Sequence, residues 1–229
     1  MFFFVFWVRE GRKMCPEVVT FKVSLKNKGK RTQWEGVKDL NLTERRETTE
    51  NCLIPSIEWQ EAKGREFAEN RDKIHFICAN SAAPRKFPGR RPKTDDEEAW
   101  HTLLLERCPS EAEHLKASFP NHVGLPPALS ILRQFSCKLI NELISYLVEW
   151  SESEGLTRPI REWIYALLLF VEVPLIPETI SSLRELAKEA RRTRSRLDSS
   201  RIEEANEFSM FIAIIGIYFN QKDLSDLTS

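Results

Sequence analysis

Cys108, His114 and His122 are the side chains best placed along this chain to hold a metal or to pair a thiol with a base. Their spacing matches no familiar site, because zinc ligands come in pairs a few residues apart. They read as an incidental cluster. Asp95, Asp96, Glu97 and Glu98 offer four carboxylates in a row. A metal needs carboxylates that converge, and consecutive helical positions splay around the axis. These acids instead mark a helix start, where negative charge complements the dipole, with Thr94 as the expected cap. There are only eight glycines, and no glycine-rich phosphate loop, H-E-x-x-H or G-x-S-x-G occurs. No paired acidic motif recurs across the helical segments as a helical hydrolase would require. The residues therefore imply no enzyme, no metal and no cofactor.

What remains is a chain built to position surfaces. Its 229 residues suit one large domain, or one domain with extensions. The 34 basic and 34 acidic residues balance, so net charge gives no reason to expect nucleic acid or an anionic membrane. Five scattered cysteines, Cys15, Cys52, Cys78, Cys108 and Cys137, form no C-x-x-C pair and read as reduced thiols. Two apolar runs, Trp163–Val171 and Phe208–Phe219, fall well short of the roughly 20 residues a membrane helix needs. FFFVFWV, at Phe2–Val8, is also too short to span, and its basic residues follow the run instead of preceding it. It reads as an atypical chain start.

Residues 1–54 read as an extended arm. In it, VVTFKVSL, Val18–Leu25, alternates apolar and polar positions like one strand. A lone strand needs another sheet edge to pair with. Residues 55–94 hold one helix, expected over 55–78 with Ile57, Phe67, Ile74 and Ile77 on one side. A linker with three prolines and five basic residues follows, and it is expected to be solvated. Residues 95–229 read as a helical bundle. From Pro127, Leu132, Phe135, Leu139, Leu143, Leu147 and Trp150 form one apolar stripe at spacings of three and four. Thr157 and Pro159 open the next helix, which is apolar nearly all round, and Pro174 ends it. Pro177 starts a helix with a buried side of Ile180, Leu183, Ala187, Ala190 and Leu197. Its other side is basic, with Arg184, Lys188, Arg191, Arg192, Arg194 and Arg196. A last helix spans about Glu203 to Asn220. The expected fold class is all-α, a bundle with an extended and partly disordered N-terminal arm.

Several segments are similar to one family, in order and from about residue 15 to 227. WIYALLLFVEVPLIPE followed by LRELA, and YFNQKDLSDL at Tyr218–Leu227, resemble the survival-of-motor-neuron-interacting protein family, the second Gemin. SYLVEW, KTDDEEAW, IEWQ and CPEVV resemble its other motifs. The resemblance implies a non-enzymatic assembly factor of spliceosomal small nuclear ribonucleoproteins, found in the cytoplasm and in nuclear bodies. Its implied partners are an amphipathic helix of the survival-of-motor-neuron protein and the Sm proteins. No small-molecule ligand and no membrane are implied, and RNA is engaged only indirectly. The expected partner-helix groove is Leu139, Leu143, Trp163, Ile164, Leu167 and Leu168, with Arg161 at its rim. The expected Sm-contacting arm is Val18, Val19, Phe21 and Val23, laid along a sheet edge. Two features depart from the family. Only fourteen residues, hydrophobic ones, precede Cys15 where the family has a long acidic arm, so the expectation is either a mis-assigned chain start or an arm that reaches fewer Sm subunits. Glu162 stands where the family has arginine before the tryptophan. Two other readings stay open from the residues: an adaptor binding an amphipathic helix elsewhere, and an RNA-binding module using Arg85–Lys93 and the basic helix face.

Overall fold

Apolar spacing of three and four along most of the chain makes helices, and helices with one apolar side must pack on each other. The computed structural model shows this and describes residues 53–83 and 86–226. The strand expected at Val18–Leu25, with its four arm residues, lies outside the described residues. Among the described residues there is no strand. The long helices are α1 (Ile57–Asn80), α5 (Cys137–Glu154), α6 (Arg158–Leu168), α7 (Pro177–Ser195) and α8 (Ile202–Ala213). Three short ones lie between them: α2 (Glu97–His101), α3 (Glu113–Lys116) and α4 (Leu129–Leu132). Helix α7 lies between α5 and α8, α6 packs on α5, and α1 crosses α8.

Local chemistry sets most boundaries. Ser56 accepts the Trp59 N–H at 3.3 Å and starts α1. Asp96, and not Thr94, caps α2, accepting the Ala99 N–H at 3.2 Å. The expected single helix from Pro127 is broken. It forms one turn, α4, and restarts where Ser136 accepts the Leu139 N–H at 3.3 Å. The stripe from Leu132 to Trp150 is still buried throughout. Gly155, in a conformation with φ of 81°, ends α5. Pro159 and Pro177 lie in the first turns of α6 and α7, where a missing N–H costs nothing. Helix α6 stops at Leu168, before Pro174, and the Val173–Pro174 peptide is cis. The last helix changes to π winding over Ile214–Tyr218, which the spacing did not foretell.

The segment before the bundle is part of it. Phe67 of α1 packs edge-on to Tyr165, at 5.8 Å between centroids, and to Tyr218, at 4.8 Å. Asn70 donates to the Tyr165 hydroxyl at 3.2 Å, and burial pushes that phenol up to about 12. Arg71, itself buried, donates to the carbonyls of Leu168 and Val171 and ties α1 to the end of α6. Ile57, expected inside, is exposed; Phe67 and Ile74 are buried. The described part of the linker is solvated as expected at its basic residues, with Lys86, Arg90, Arg91 and Lys93 exposed, but its apolar residues dock on the bundle. Pro88 is buried, Phe87 lies against Trp100 and Phe135, and the Trp100 Nε1–H donates to the Lys93 carbonyl at 2.8 Å. Gly124 is required by a close approach: a Cβ there would strike the Leu104 carbonyl. The Leu125 N–H reaches the Leu103 carbonyl at 2.8 Å beside it.

Candidate functional site

The seven expected groove residues come together on α5 and α6, but the chain encloses them itself. Leu143, Trp163, Ile164, Leu167 and Leu168 are 0% exposed, Leu139 is 1% and Arg161 is 6%. Trp163 is held by two contacts. Its Nε1–H donates to the Leu125 carbonyl at 3.0 Å, and its ring stacks on Phe135 at 6.3 Å. Helix α6 is apolar nearly all round because α5, α1 and the loop before α4 all meet it. Arg161 is turned inward. It donates to the Leu156 carbonyl and to Glu207 of α8 at 2.9 Å, over the face of Phe208 at 4.9 Å. A helix laid on this chain as it stands would touch the neighbours of these residues, not their side chains.

Glu162, the departure from the family pattern, has a use the sequence did not disclose. It accepts from buried His122 at 2.8 Å and from Arg158 at 3.0 Å. Burial pushes its carboxyl up, yet the hydrogen bonds from His122 and Arg158 outweigh this and hold it below the usual carboxylate range. The network pins the 119–128 loop to α6. No spacing rule links positions 122 and 162, so only the fold could reveal it. A depressed folded pKa means the stabilisation is full above the ordinary glutamate value of about 4.3. It is lost as pH falls through the lower folded value. Glu162→Gln should thus be less stable than the parent at neutral pH, with a gap that closes on acidification. Urea midpoints of both proteins from neutral pH through the carboxylate range test this, and a gap independent of pH would refute it.

The other chemistry-bearing residues are dispersed. Among the described residues no three His, Cys, Asp or Glu side chains gather in a way that could hold a metal. Cys108 turns to the Pro109 carbonyl, and Glu97 of the acidic run accepts the Trp150 Nε1–H at 2.8 Å. No helix among the described residues is long and apolar enough to cross a membrane. The basic face of α7 is largely answered within the chain. Arg184 grips Asp223 through two bonds of 2.6 and 3.1 Å, and Lys188 and Arg192 reach Glu185 and Glu189. Arg194 is buried against Asp226 at 2.6 and 3.0 Å. Such pairing leaves no continuous row of unopposed charge for an RNA backbone, whose binding rests on neutralising several phosphates along the strand. Among the described residues the exposed large apolar side chains are Ile57 and Phe76 of α1, Val123 in the loop, Val173 and Ile176 between α6 and α7, and Ile202 at the start of α8.

Known proteins are similar to this chain. Gem-associated protein 2 of Xenopus laevis is 32% identical over 181 residues, covering 75% of this chain and 70% of that protein. Gem-associated protein 2 of Mus musculus is 30% identical over 222 residues, covering 93% and 80%. A chain in the solved structure titled "The 8S snRNP Assembly Intermediate" superposes with a TM-score of 0.56 at 21% identity, covering 96% of this chain and 95% of that one. At that identity the superposition speaks for the fold. The model of the survival motor neuron (SMN) interacting protein 1 family, SIP1, matches residues 4–222, and the chain belongs to that family.

Proposed function

We propose that this protein is a non-catalytic assembly factor for small nuclear ribonucleoproteins. In this reading the helical domain binds a helix of the survival-of-motor-neuron protein, and the N-terminal arm, with Val18, Val19, Phe21 and Val23, lies against Sm proteins. The observation that carries the reading is the family match, which runs through both the arm and the bundle. The superposition on a chain of an assembly intermediate agrees with it. The α5–α6 residues Leu139, Leu143, Arg161, Trp163, Ile164, Leu167 and Leu168 serve as the rigid floor of the partner surface. Work in the cytoplasm and in nuclear bodies follows from the same reading.

A partner helix presents apolar anchors every three or four residues. Four such anchors contribute about 6–12 kcal/mol, against an association cost of order 4–15 kcal/mol. Apolar burial alone is marginal, so charges at the rim must set register and on-rate. The test is calorimetric titration of the full chain with a peptide of the survival-of-motor-neuron helix, beside co-purification of Sm proteins. One-to-one binding of the peptide and recovery of Sm proteins are expected. A folded chain that binds neither would overturn the reading.

A further inference from the structure

A cavity of about 560 Å3 opens between α7 and the residues that lead into α1. It lies on the far side of α7 from the α5 contact and shares no residue with the α5–α6 region. Its volume falls in the usual range for small-ligand sites, about 300–1,000 Å3. One wall is Leu53 and Ile54. The opposite wall is a stripe of α7 in which Lys188, Arg191, Arg192 and Ser195 follow one another at helical spacing. Arg194 and Asp226 also line it.

Charge decides what this cavity can hold. Asp226 would repel an anion, but both its oxygens are occupied by buried Arg194. The partners of Lys188 and Arg192 are Glu185 at 2.7 Å and Glu189 at 2.6 Å, on the helix itself. Lys188 is exposed and the Glu185 side chain half-exposed, and a pair of this kind is worth little and exchanges readily. Glu189 is buried, so Arg192 keeps that partner and offers a ligand its remaining donors. Arg191 spends one Nη on the Leu224 carbonyl at 2.7 Å and on Asp226 at 3.4 Å, so its guanidinium is fixed in place with donors left over. The exposed Ser195 hydroxyl can turn from the Arg192 carbonyl, 2.9 Å away, to a ligand. Three cationic side chains and a hydroxyl around one space match a tetrahedral oxyanion, and arginine forks suit phosphate in particular.

We propose that this cavity is a phosphate-binding site, taking a phosphate group carried either by a small molecule or by a phosphorylated side chain, beside an apolar portion lying on Leu53 and Ile54. The proposal stands apart from the partner-helix reading. It also departs from the family resemblance, which implies no small-molecule ligand. Calorimetric titration of the full chain with inorganic pyrophosphate and, separately, with phosphoserine tests it. At least one probe should bind at a single site, more weakly as salt rises. The Lys188→Ala/Arg192→Ala variant should weaken that binding about tenfold or more, with its fold checked by circular dichroism because Arg192→Ala removes the cation paired with buried Glu189. Lys188→Ala alone, whose partner Glu185 is half-exposed, should weaken binding with the thermal midpoint unchanged. Ser195→Ala should weaken it less. Tighter pyrophosphate binding identifies a free phosphorylated molecule as the ligand, and tighter phosphoserine binding a phosphorylated protein. Absence of binding by both probes overturns the site. So does equal affinity in the double variant, or in Lys188→Ala alone should the double variant fail to fold.

Discussion

Trp163→Ala is expected to lower the unfolding free energy by about 3–5 kcal/mol, as large aromatic truncations in closed cores do. Trp163 is wholly buried, stacks on Phe135, and satisfies the Leu125 carbonyl through its Nε1–H. Alanine leaves a cavity in α6 and an unpaired carbonyl in the loop that Gly124 threads past Leu104. Trp163→Phe separates the two terms. It keeps most of the packing and forfeits the hydrogen bond, so it should cost about 1–3 kcal/mol, the penalty for a stranded buried polar group. Urea unfolding followed by circular dichroism reads both variants. A loss under about 1 kcal/mol for the alanine variant would mean Trp163 is not core, since core truncations cost several-fold more. Loss of partner binding in this variant would then have to be separated from unfolding, because a side chain with no exposed area can affect a partner only through the shape it supports.

The second large effect sits close to the C-terminal end of the described residues. Asp226→Ala is expected to cost about 3–5 kcal/mol, the range for stranding one partner of a buried ion pair. Arg194 is buried by α8 and by the Lys222–Asp226 segment, and Asp226 fills two of its donors while Ser209 takes a third contact at 2.9 Å. Position 226 would ordinarily be judged tolerant, since chain ends usually carry few contacts. Replacing both members, Arg194→Met with Asp226→Leu, should recover most of the loss, because an apolar pair of similar volume carries no desolvation penalty. Thermal or urea midpoints of the three proteins decide it. An Asp226→Ala variant as stable as the parent would show the pair to be surface-like in solution.

How much of this was legible in advance varies with the reach of the interaction. Helices α1, α5, α6 and α7 follow from apolar spacing, and the starts of α6 and α7 from Pro159 and Pro177, all of which act within a turn or two. That α6 has neighbours on several sides was also legible in the nearly all-round apolar run Trp163–Val171, but not whether those neighbours belong to this chain or to a partner. The acidic run was correctly read as a helix start, although the cap is Asp96, one of the acids themselves, and not Thr94. The break at 133–136 was not legible, because the stripe of Leu132, Phe135 and Leu139 keeps its period across a gap that Ser136 closes with a new cap.

The family could be recognised from the sequence alone, since its motifs are strings of neighbouring residues. The surface could not. Every side chain picked for the groove is apolar or basic at the right spacing, and the same spacing serves a core and a groove equally. Arg161 points to Glu207 because α8 lies where it does, and Glu162 is held by His122 because the 119–128 loop folds back over α6. The charges on α7 read as a free basic face until the C-terminal segment brought Asp223 and Asp226 against them. Sequence by itself determined the helices and the family, because periodicity and motifs are local. Only the tertiary structure decided which apolar faces meet each other and which charges are answered, because those pairs lie tens of residues apart and are set by packing.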